Sequence, residues 1–139
     1  MIILDTNVLS ALMQKAPDAR VVAWLDRQQM EAIWITAITL FELHYGIALL
    51  AKSRRRSMLE VACKELLERD LESRVLDFDS AAAREAATLS AARHKAGRPV
   101  DIRDTQIAGI ALARRASLAT RNTRHFSDSD LVLIDPWDA

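Results

Sequence analysis

The sequence predicts an α/β domain built around a mostly parallel sheet of about five short strands. Short apolar stretches alternate with stretches of about ten residues or more that show helical periodicity. Strands that are apolar on both faces are typical of parallel sheets covered by helices. Gly and Pro number only three each, so few breaks interrupt these elements.

The first half of the chain supplies two strands and four helices. The opening strand is predicted because three apolar residues that favour strands precede the polar Asp5. Pro17 breaks the short first helix and allows a second to start after Asp18. The predicted elements are a strand over 2–4, helices over 8–13 and from 19 to about 29, a strand over 32–35, a helix from about 38 to 50, the basic stretch 52–56, and a helix from 57 to about 68.

The second half continues the alternation and supplies three strands and two helices. Asp79 or Ser80 can cap an Ala-rich helix that ends near Gly97, and Pro99 marks a loop. The predicted elements are a strand over 75–78, a helix from about 80 to 97, a helix from 102 to about 116, a strand over 118–120, and a final strand over 131–134.

Composition limits the class of protein. The length of 139 residues suits a single domain spanning 1–139. Lys plus Arg equals Asp plus Glu at 19 each, which excludes a generally basic nucleic-acid binder, although a local contact remains open. Cys63 is the single cysteine, and no signal sequence or membrane-length apolar run is present. We therefore expect a soluble, cytoplasmic protein.

Three carboxylates occupy unusual places in this pattern. Asp5 follows a buried strand at the sheet edge where parallel α/β proteins bind ligands. Glu42 and Asp104 lie on helix stripes that are otherwise mostly apolar, where a charge is costly unless it is compensated. Helix capping is an alternative explanation for each: Asp5 can cap the first helix, Thr39 and Glu42 fit a capping box, and Asp104 would lie in a first helical turn behind the cap Asp101.

Clustered carboxylates repel one another unless a cation lies among them. Oxygen-only ligands suit Mg²⁺ or Mn²⁺ better than Zn²⁺, which favours His and Cys. Such an ion commonly activates water for attack on phosphorus. If the three side chains meet, they predict metal-assisted phosphodiester hydrolysis.

A fourth polar position follows the predicted strand over 118–120. Thr120 ends that strand and Asn122 lies just beyond it, so both belong to the same sheet edge as Asp5. A simple turn, in which Asn is favoured, is the alternative.

Four stretches together resemble the PIN-domain ribonucleases, in particular the VapC and FitB-like toxins of prokaryotic toxin–antitoxin pairs. They are IILDTNVLS, ITLFELHYGIALL, DTQIAGIALA and ATRNTRHF, in the order and at the spacing expected for that family, and the similarity extends to the final DPW. The resemblance implies a PIN-like α/β/α sandwich. It also implies a Mg²⁺- or Mn²⁺-dependent endoribonuclease.

The resemblance assigns roles to individual residues. Asp5, Glu42 and Asp104 match the acidic catalytic and metal-binding positions. Asn122 matches a fourth catalytic position that is often Asp, so it brings an oxygen but no charge. The accessory hydroxyls are Thr6 and Thr120. Independently of the resemblance, Arg121 and Arg124 flank Asn122 in the sequence, which makes them the candidate RNA-binding residues.

The resemblance also implies partners: an RNA substrate, a VapB-like antitoxin that blocks the acidic cleft, a homodimer, and a higher toxin–antitoxin assembly on operator DNA. Tyr45, Leu49 and Leu50 could form an interface, although their helical spacing favours the core. A catalytically weak member that acts through its antitoxin is the alternative function, because Asn122 is uncharged. A phosphatase with Asp5 as nucleophile is a third hypothesis, weakened because position 7 is Asn.

The remaining chemistry-bearing residues are interpreted as structural. Asn7 is expected to make only local backbone contacts, and Cys63 is expected to pack in the core. His44, His94 and His125 share no ligand spacing, so they are not expected to bind a metal.

Overall fold

The computed structural model describes the whole chain, from Met1 to Ala139. Five strands and six α-helices alternate along it. They are β1 (Ile2–Leu4), α1 (Thr6–Leu12), α2 (Ala19–Asp26), β2 (Ile33–Thr36), α3 (Ala37–Ala48), α4 (Arg54–Glu65), β3 (Val75–Leu76), α5 (Ser80–Lys95), α6 (Ile102–Arg114), β4 (Ser117–Ala119) and β5 (Leu133–Ile134). Short 3₁₀ turns at Met30–Ala32 and Thr123–His125 and a π turn at Leu66–Asp70 complete the regular structure.

The five strands form one parallel sheet in the order β3-β2-β1-β4-β5. Strand β1 is central: Ile2 pairs with Ile33 of β2 on one side and with Ser117 of β4 on the other. Because every strand runs the same way, all the carboxyl ends meet at one edge. The predicted parallel α/β fold is confirmed, and its consequence is that residues following β1 and β4 become neighbours.

Helices cover both faces of the sheet and enclose two apolar cores. Leu4 packs with apolar side chains from α1 to α4, whereas Ile3 packs with those of α5 and α6. Both side chains are fully buried, which follows from the alternation of side chains along a strand that is covered on each face. Cys63 is buried in the first of these cores, as expected.

Helices α5 and α6 pack very closely at Gly109. A Cβ atom at this position would lie 2.6 Å from the carbonyl oxygen of Ala82 and 2.7 Å from the Cβ atom of Ala86. Only a residue without a side chain fits this crossing unless the helices move apart. Gly109 therefore sets the spacing of the layer that carries Asp104.

Four helices begin with an Asp side chain that accepts a backbone N–H. The caps are Asp5 for α1, Asp18 for α2, Asp79 for α5 and Asp101 for α6. The expected caps at positions 79 and 101 are therefore confirmed.

Helix α4 differs from the prediction, because it begins at Arg54 within the basic stretch rather than at position 57. The hydroxyl of Ser53 accepts the backbone N–H of Arg56 and so caps the earlier start. None of the helices combines the length and the apolar character needed to cross a bilayer.

Candidate active site at the carboxyl edge of the sheet

Asp5 lies between the end of β1 and the start of α1 and is only 3% exposed. The backbone N–H of Thr6 donates to its Oδ1 over 2.8 Å, which makes Asp5 the helix cap. The hydroxyl of Thr120 donates to Oδ2 over 2.7 Å, and the amide of Asn7 donates to the same oxygen over 3.2 Å. Asp5 is therefore a helix cap, as the alternative explanation held, and it is also the central residue of the candidate site.

The environment of Asp5 disfavours its charged form. Burial raises the pKa of its carboxyl from 3.8 to about 6, while the hydrogen bonds from Thr120 and from the Thr6 backbone oppose this rise. The negative charges of Asp104 and Glu42 raise the pKa further. The charges of the other two acids therefore act on Asp5 in the same direction as its burial.

Glu42 projects from α3 toward the same edge, and its side chain is 22% exposed. The hydroxyl of Thr6 donates to its Oε1 over 2.9 Å. The guanidinium of Arg103, next to Asp104 in α6, lies 3.9 Å from its Oε2. Glu42 therefore lines a partly exposed cleft, where a hydroxyl and a cation provide the compensation that a charge on an apolar stripe requires.

A chain of hydroxyl groups leads to Glu42. Thr6 donates its hydrogen to the carboxylate, so the neighbouring Thr39 hydroxyl, 3.0 Å from it, is the donor to Thr6. Thr36 donates to Thr39 in turn over 3.4 Å, and its oxygen caps α3 by accepting the Thr39 backbone N–H. The capping box proposed for Thr39 and Glu42 is thus wrong, because the cap lies one turn earlier.

Asp104 lies in the first turn of α6 with its side chain 21% exposed. Its Oδ2 atom is 2.8 Å from Nδ1 of His125, which belongs to the 3₁₀ turn after β4. A carboxylate has no hydrogen to give, so the ring nitrogen donates. No sequence pattern placed His125 here, because the fold joins two turns that lack any common sequence spacing.

Asn7 connects the ends of β1 and β4. Its side-chain amide donates to Asp5 and also to the hydroxyl of Thr120 over 3.3 Å, and its Oδ1 accepts the backbone N–H of Arg121 over 3.1 Å. The expectation that Asn7 makes only local contacts is therefore wrong. Asn122 joins this network through its backbone N–H, which donates to Thr120 over 3.0 Å, while its side chain is exposed.

The two candidate RNA-binding arginines lie on the rim. The guanidinium of Arg121 stacks 4.8 Å above the ring of Trp137, which fixes it beside the Asn7 network. Arg124 is exposed and its carbonyl accepts a hydrogen bond from Arg98.

Next to Thr6 and Glu42, a cleft of ≈ 220 Å³ opens along α3 and extends to Arg55 of α4.

The acids fit a hard divalent cation by chemistry and by charge. In this conformation, no three His, Cys, Asp or Glu side chains are arranged to share a metal ion. Mg²⁺, however, usually takes only one or two carboxylates and keeps several waters. Asp5, Glu42 and Asp104 offer oxygen ligands alone, and a cation would relieve their repulsion, which adds to the larger effect of burial on the pKa of Asp5.

Sequence reasoning missed three residues at this site: Asn7, Arg103 and His125. Asn7 carried a signal, because an amide two residues after a strand-end Asp can reach the next strand end. Arg103 carried a weaker one, since it precedes Asp104 in the first turn of α6. Nothing local pointed to His125, because its place depends on how the turn after β4 packs.

Comparison with known proteins agrees with this architecture. Residues 2–130 match the model of the PIN domain. A VapC ribonuclease of Sinorhizobium fredii is 38% identical over 99% of both chains. The solved FitAcB structure from Neisseria gonorrhoeae matches with a TM-score of 0.86 and 34% identity over all of both chains. The DNA-bound VapBC of Salmonella typhimurium matches with a TM-score of 0.78 and 29% identity over 96% of both chains.

The central parallel sheet and the helices on both of its faces agree with these matches. The protein belongs to the PIN-domain family and has relatives named VapC and FitB.

Proposed function

We propose that this protein is a Mg²⁺- or Mn²⁺-dependent endoribonuclease, the toxin of a VapBC-type toxin–antitoxin module. The observation that carries the proposal is the buried carboxylate of Asp5 at the carboxyl end of the central strand, joined through Thr6 to the carboxylate of Glu42. The charge of Asp104 also acts on Asp5. The names of the relatives support nuclease activity. The donor chemistry supports a divalent metal.

Asp5, Glu42 and Asp104 supply the carboxylates that would hold the cation, directly or through its waters. When bound, the ion supplies Lewis-acid stabilisation of charge on the phosphodiester and an activated water. The rest of the site orients these acids: Thr6 holds one oxygen of Glu42, and Thr120 holds one oxygen of Asp5.

Three further residues would contact the substrate. Asn122 offers an uncharged amide at the rim, able to position a water or the phosphate. Arg121 and Arg124 would contact the RNA backbone, where local cations provide sequence-independent affinity.

The decisive experiment compares Asp5→Asn with Asp18→Asn. Both residues cap a helix, but Asp18 is paired with Arg20 on the surface and makes no hydrogen bond to Asp5, Glu42 or Asp104. We expect purified Asp5→Asn to be folded and inactive on RNA and to cause no growth arrest, while Asp18→Asn retains both activities. Unchanged cleavage by Asp5→Asn would disprove the proposal.

The partners follow from the relatives. Because the similar solved structures are FitAcB and DNA-bound VapBC, we propose a VapB-like antitoxin that covers the acidic cleft and an assembly with it on operator DNA. RNA and such an antitoxin imply a cytoplasmic protein. Co-expression with the product of the neighbouring reading frame should restore growth, and the purified pair should bind the promoter upstream of the two genes.

We also propose a homodimer. Phe41, Tyr45 and Leu49 form an exposed apolar stripe on α3, between 50% and 68% accessible, with the two rings stacked at 5.7 Å. The expectation that Tyr45 and Leu49 lie in the core is therefore wrong. Sedimentation equilibrium should show a dimer for the wild type and a monomer for Tyr45→Asp; equal masses would contradict this interface.

The alternative is a catalytically weak protein that acts through its antitoxin. It is supported by the uncharged Asn122 and by the protein partners that Glu42 and Asp104 already have, Arg103 and His125. Growth arrest that persists in an Asp5→Asn/Asp104→Asn double variant would favour this alternative.

A further inference from the structure

Arg93, on α5, is the most completely bonded charged side chain outside the site. It is only 3% exposed, and its guanidinium donates to three residues in two segments of the fold, helix α6 and the turn after β4. Nη1 donates to the hydroxyl of Thr105 over 2.7 Å, and Nη2 donates to the carbonyl oxygen of His125. A buried charge needs such complete compensation, so each of these bonds is held firmly in place.

Asp128 completes the arrangement. It accepts from Nε of Arg93 over 2.9 Å and from Nη2 over 3.0 Å, which is the two-pronged geometry that an arginine forms best. Arg98 lies 3.6 Å from the same carboxylate and donates to the carbonyl of Arg124. The segment from Arg124 to Asp128 is therefore attached to the end of α5 in two ways, through the side chain of Asp128 and through backbone carbonyl groups.

This fastening determines where the His125 ring lies. The ring is 50% exposed, so little packing holds it, and its orientation depends on the backbone that Arg93 fixes through the carbonyl group. From that position Nδ1 donates to Oδ2 of Asp104. Arg93 thus stands two contacts away from a site carboxylate, with His125 between them.

We propose that Arg93 and His125 are positioning residues for Asp104: Arg93 fixes the backbone of His125, and the His125 ring holds one carboxylate oxygen so that the other faces the metal. The inference rests on the proposed function, because it assigns Asp104 to a metal site. Hydrogen bonds of this kind to a metal ligand are commonly worth 10- to 100-fold in metal affinity or activity.

The test measures Mn²⁺ binding to the full-length protein through the electron paramagnetic resonance signal of free Mn²⁺. We expect His125→Ala and Arg93→Lys each to weaken binding about tenfold or more. His125→Asn should stay close to wild type, because its amide can replace the Nδ1 donor. In the double variant Arg93→Lys/His125→Ala, binding should be no weaker than in His125→Ala alone, because both changes interrupt the same route.

Two controls separate positioning from simple loss of stability. Leu89→Ala removes a buried side chain from the same helix α5 and should lower stability while leaving Mn²⁺ affinity unchanged. Asp128→Asn replaces Arg93→Lys if the latter does not fold, because it loosens the same turn from a partly exposed position. Wild-type affinity in Arg93→Lys, or additive losses in the double variant, would overturn the proposal.

A second readout does not depend on metal. In metal-free protein, nitrogen NMR of the His125 ring should show a hydrogen-bonded Nδ1–H in the wild type and its loss in Arg93→Lys. An unchanged ring signal in Arg93→Lys overturns the role of Arg93 even if the metal site is real. Absence of Mn²⁺ binding in the wild type would instead overturn the proposed function, so the two failures are distinguishable.

Discussion

The hydroxyl of Thr120 donates to the carboxylate of Asp5 over 2.7 Å and joins the ends of strands β4 and β1 across 115 positions of sequence. The carboxylate is nearly inaccessible to water, so this bond is one of the few interactions that favour its charged form. The protonation of Asp5 therefore depends on β4 lying beside the central strand β1.

Removing that hydroxyl should raise the pKa of Asp5 above its present value of about 6, because the hydrogen bond from Thr120 lowers it. The variant Thr120→Val keeps the side-chain shape, and Thr120→Ser is the matched control that keeps the hydroxyl. Carbon NMR titration of the Asp5 carboxyl in metal-free protein measures the shift. Equal pKa values in Thr120→Val and the wild type would show that the bond does not stabilise the charge.

Asp5→Asn should make the metal-free protein more stable at neutral and higher pH. The pKa of Asp5 is about 6 in the folded state against 3.8 ordinarily, so the folded state binds more protons between these values and the free energy of unfolding falls as pH rises through them. We expect a gain of about 1–3 kcal/mol at pH 8, less whatever the altered hydrogen bonds cost.

Urea unfolding in the presence of a chelator at pH 4, 6 and 8 checks this result. The gain should shrink toward pH 4, where the folded state is protonated, and vanish well below 3.8, where Asp5 is protonated in both states. Asp18→Asn is the control, and its stability should change in the opposite direction. The hydrogen bond from Arg20 lowers the pKa of Asp18, so losing this charge should reduce stability at pH 8. A variant at position 5 that is less stable than wild type at pH 8 would contradict the expectation.

Thr6→Val should reduce RNA cleavage about 10- to 100-fold, because it removes the hydroxyl that holds Oε1 of Glu42. Stability should fall by only about 1 kcal/mol, the usual net value of one hydrogen bond. Thr6→Ser retains the donor and should cleave like the wild type. Single-turnover cleavage together with urea unfolding separates the two effects, and full activity in Thr6→Val would exclude a role for this contact.

Gly109→Ala should destabilise the fold by about 1–3 kcal/mol, because the new methyl group would overlap the Ala82 carbonyl and force α5 and α6 apart. Gly46→Ala is the matched control within α3, where an added Cβ meets nothing within 4 Å. That change should raise stability by up to about 1 kcal/mol through helix propensity. Urea unfolding of the two variants should therefore give shifts of opposite sign.

The acidic positions were visible in the sequence because local rules place them. A strand of apolar residues ending in Asp5 puts a carboxylate at the sheet edge, and an apolar helix stripe interrupted by Glu42 or Asp104 draws attention to both. The structure brings these three acids into one electrostatic environment. Their partners were not visible, since Arg103 and His125 reach them from other turns.

The sequence by itself determined the alternation of strands and helices, the Asp caps and the acid at the end of β1, because periodicity and capping act over a few residues. The tertiary structure decided that β4 lies beside β1, that Asn7 bridges Asp5 and Thr120, and that Arg93 holds His125 toward Asp104. The physical reason is range. Strand order and the packing of the turn after β4 depend on burying two apolar layers at once, and no local stretch of sequence specifies that arrangement.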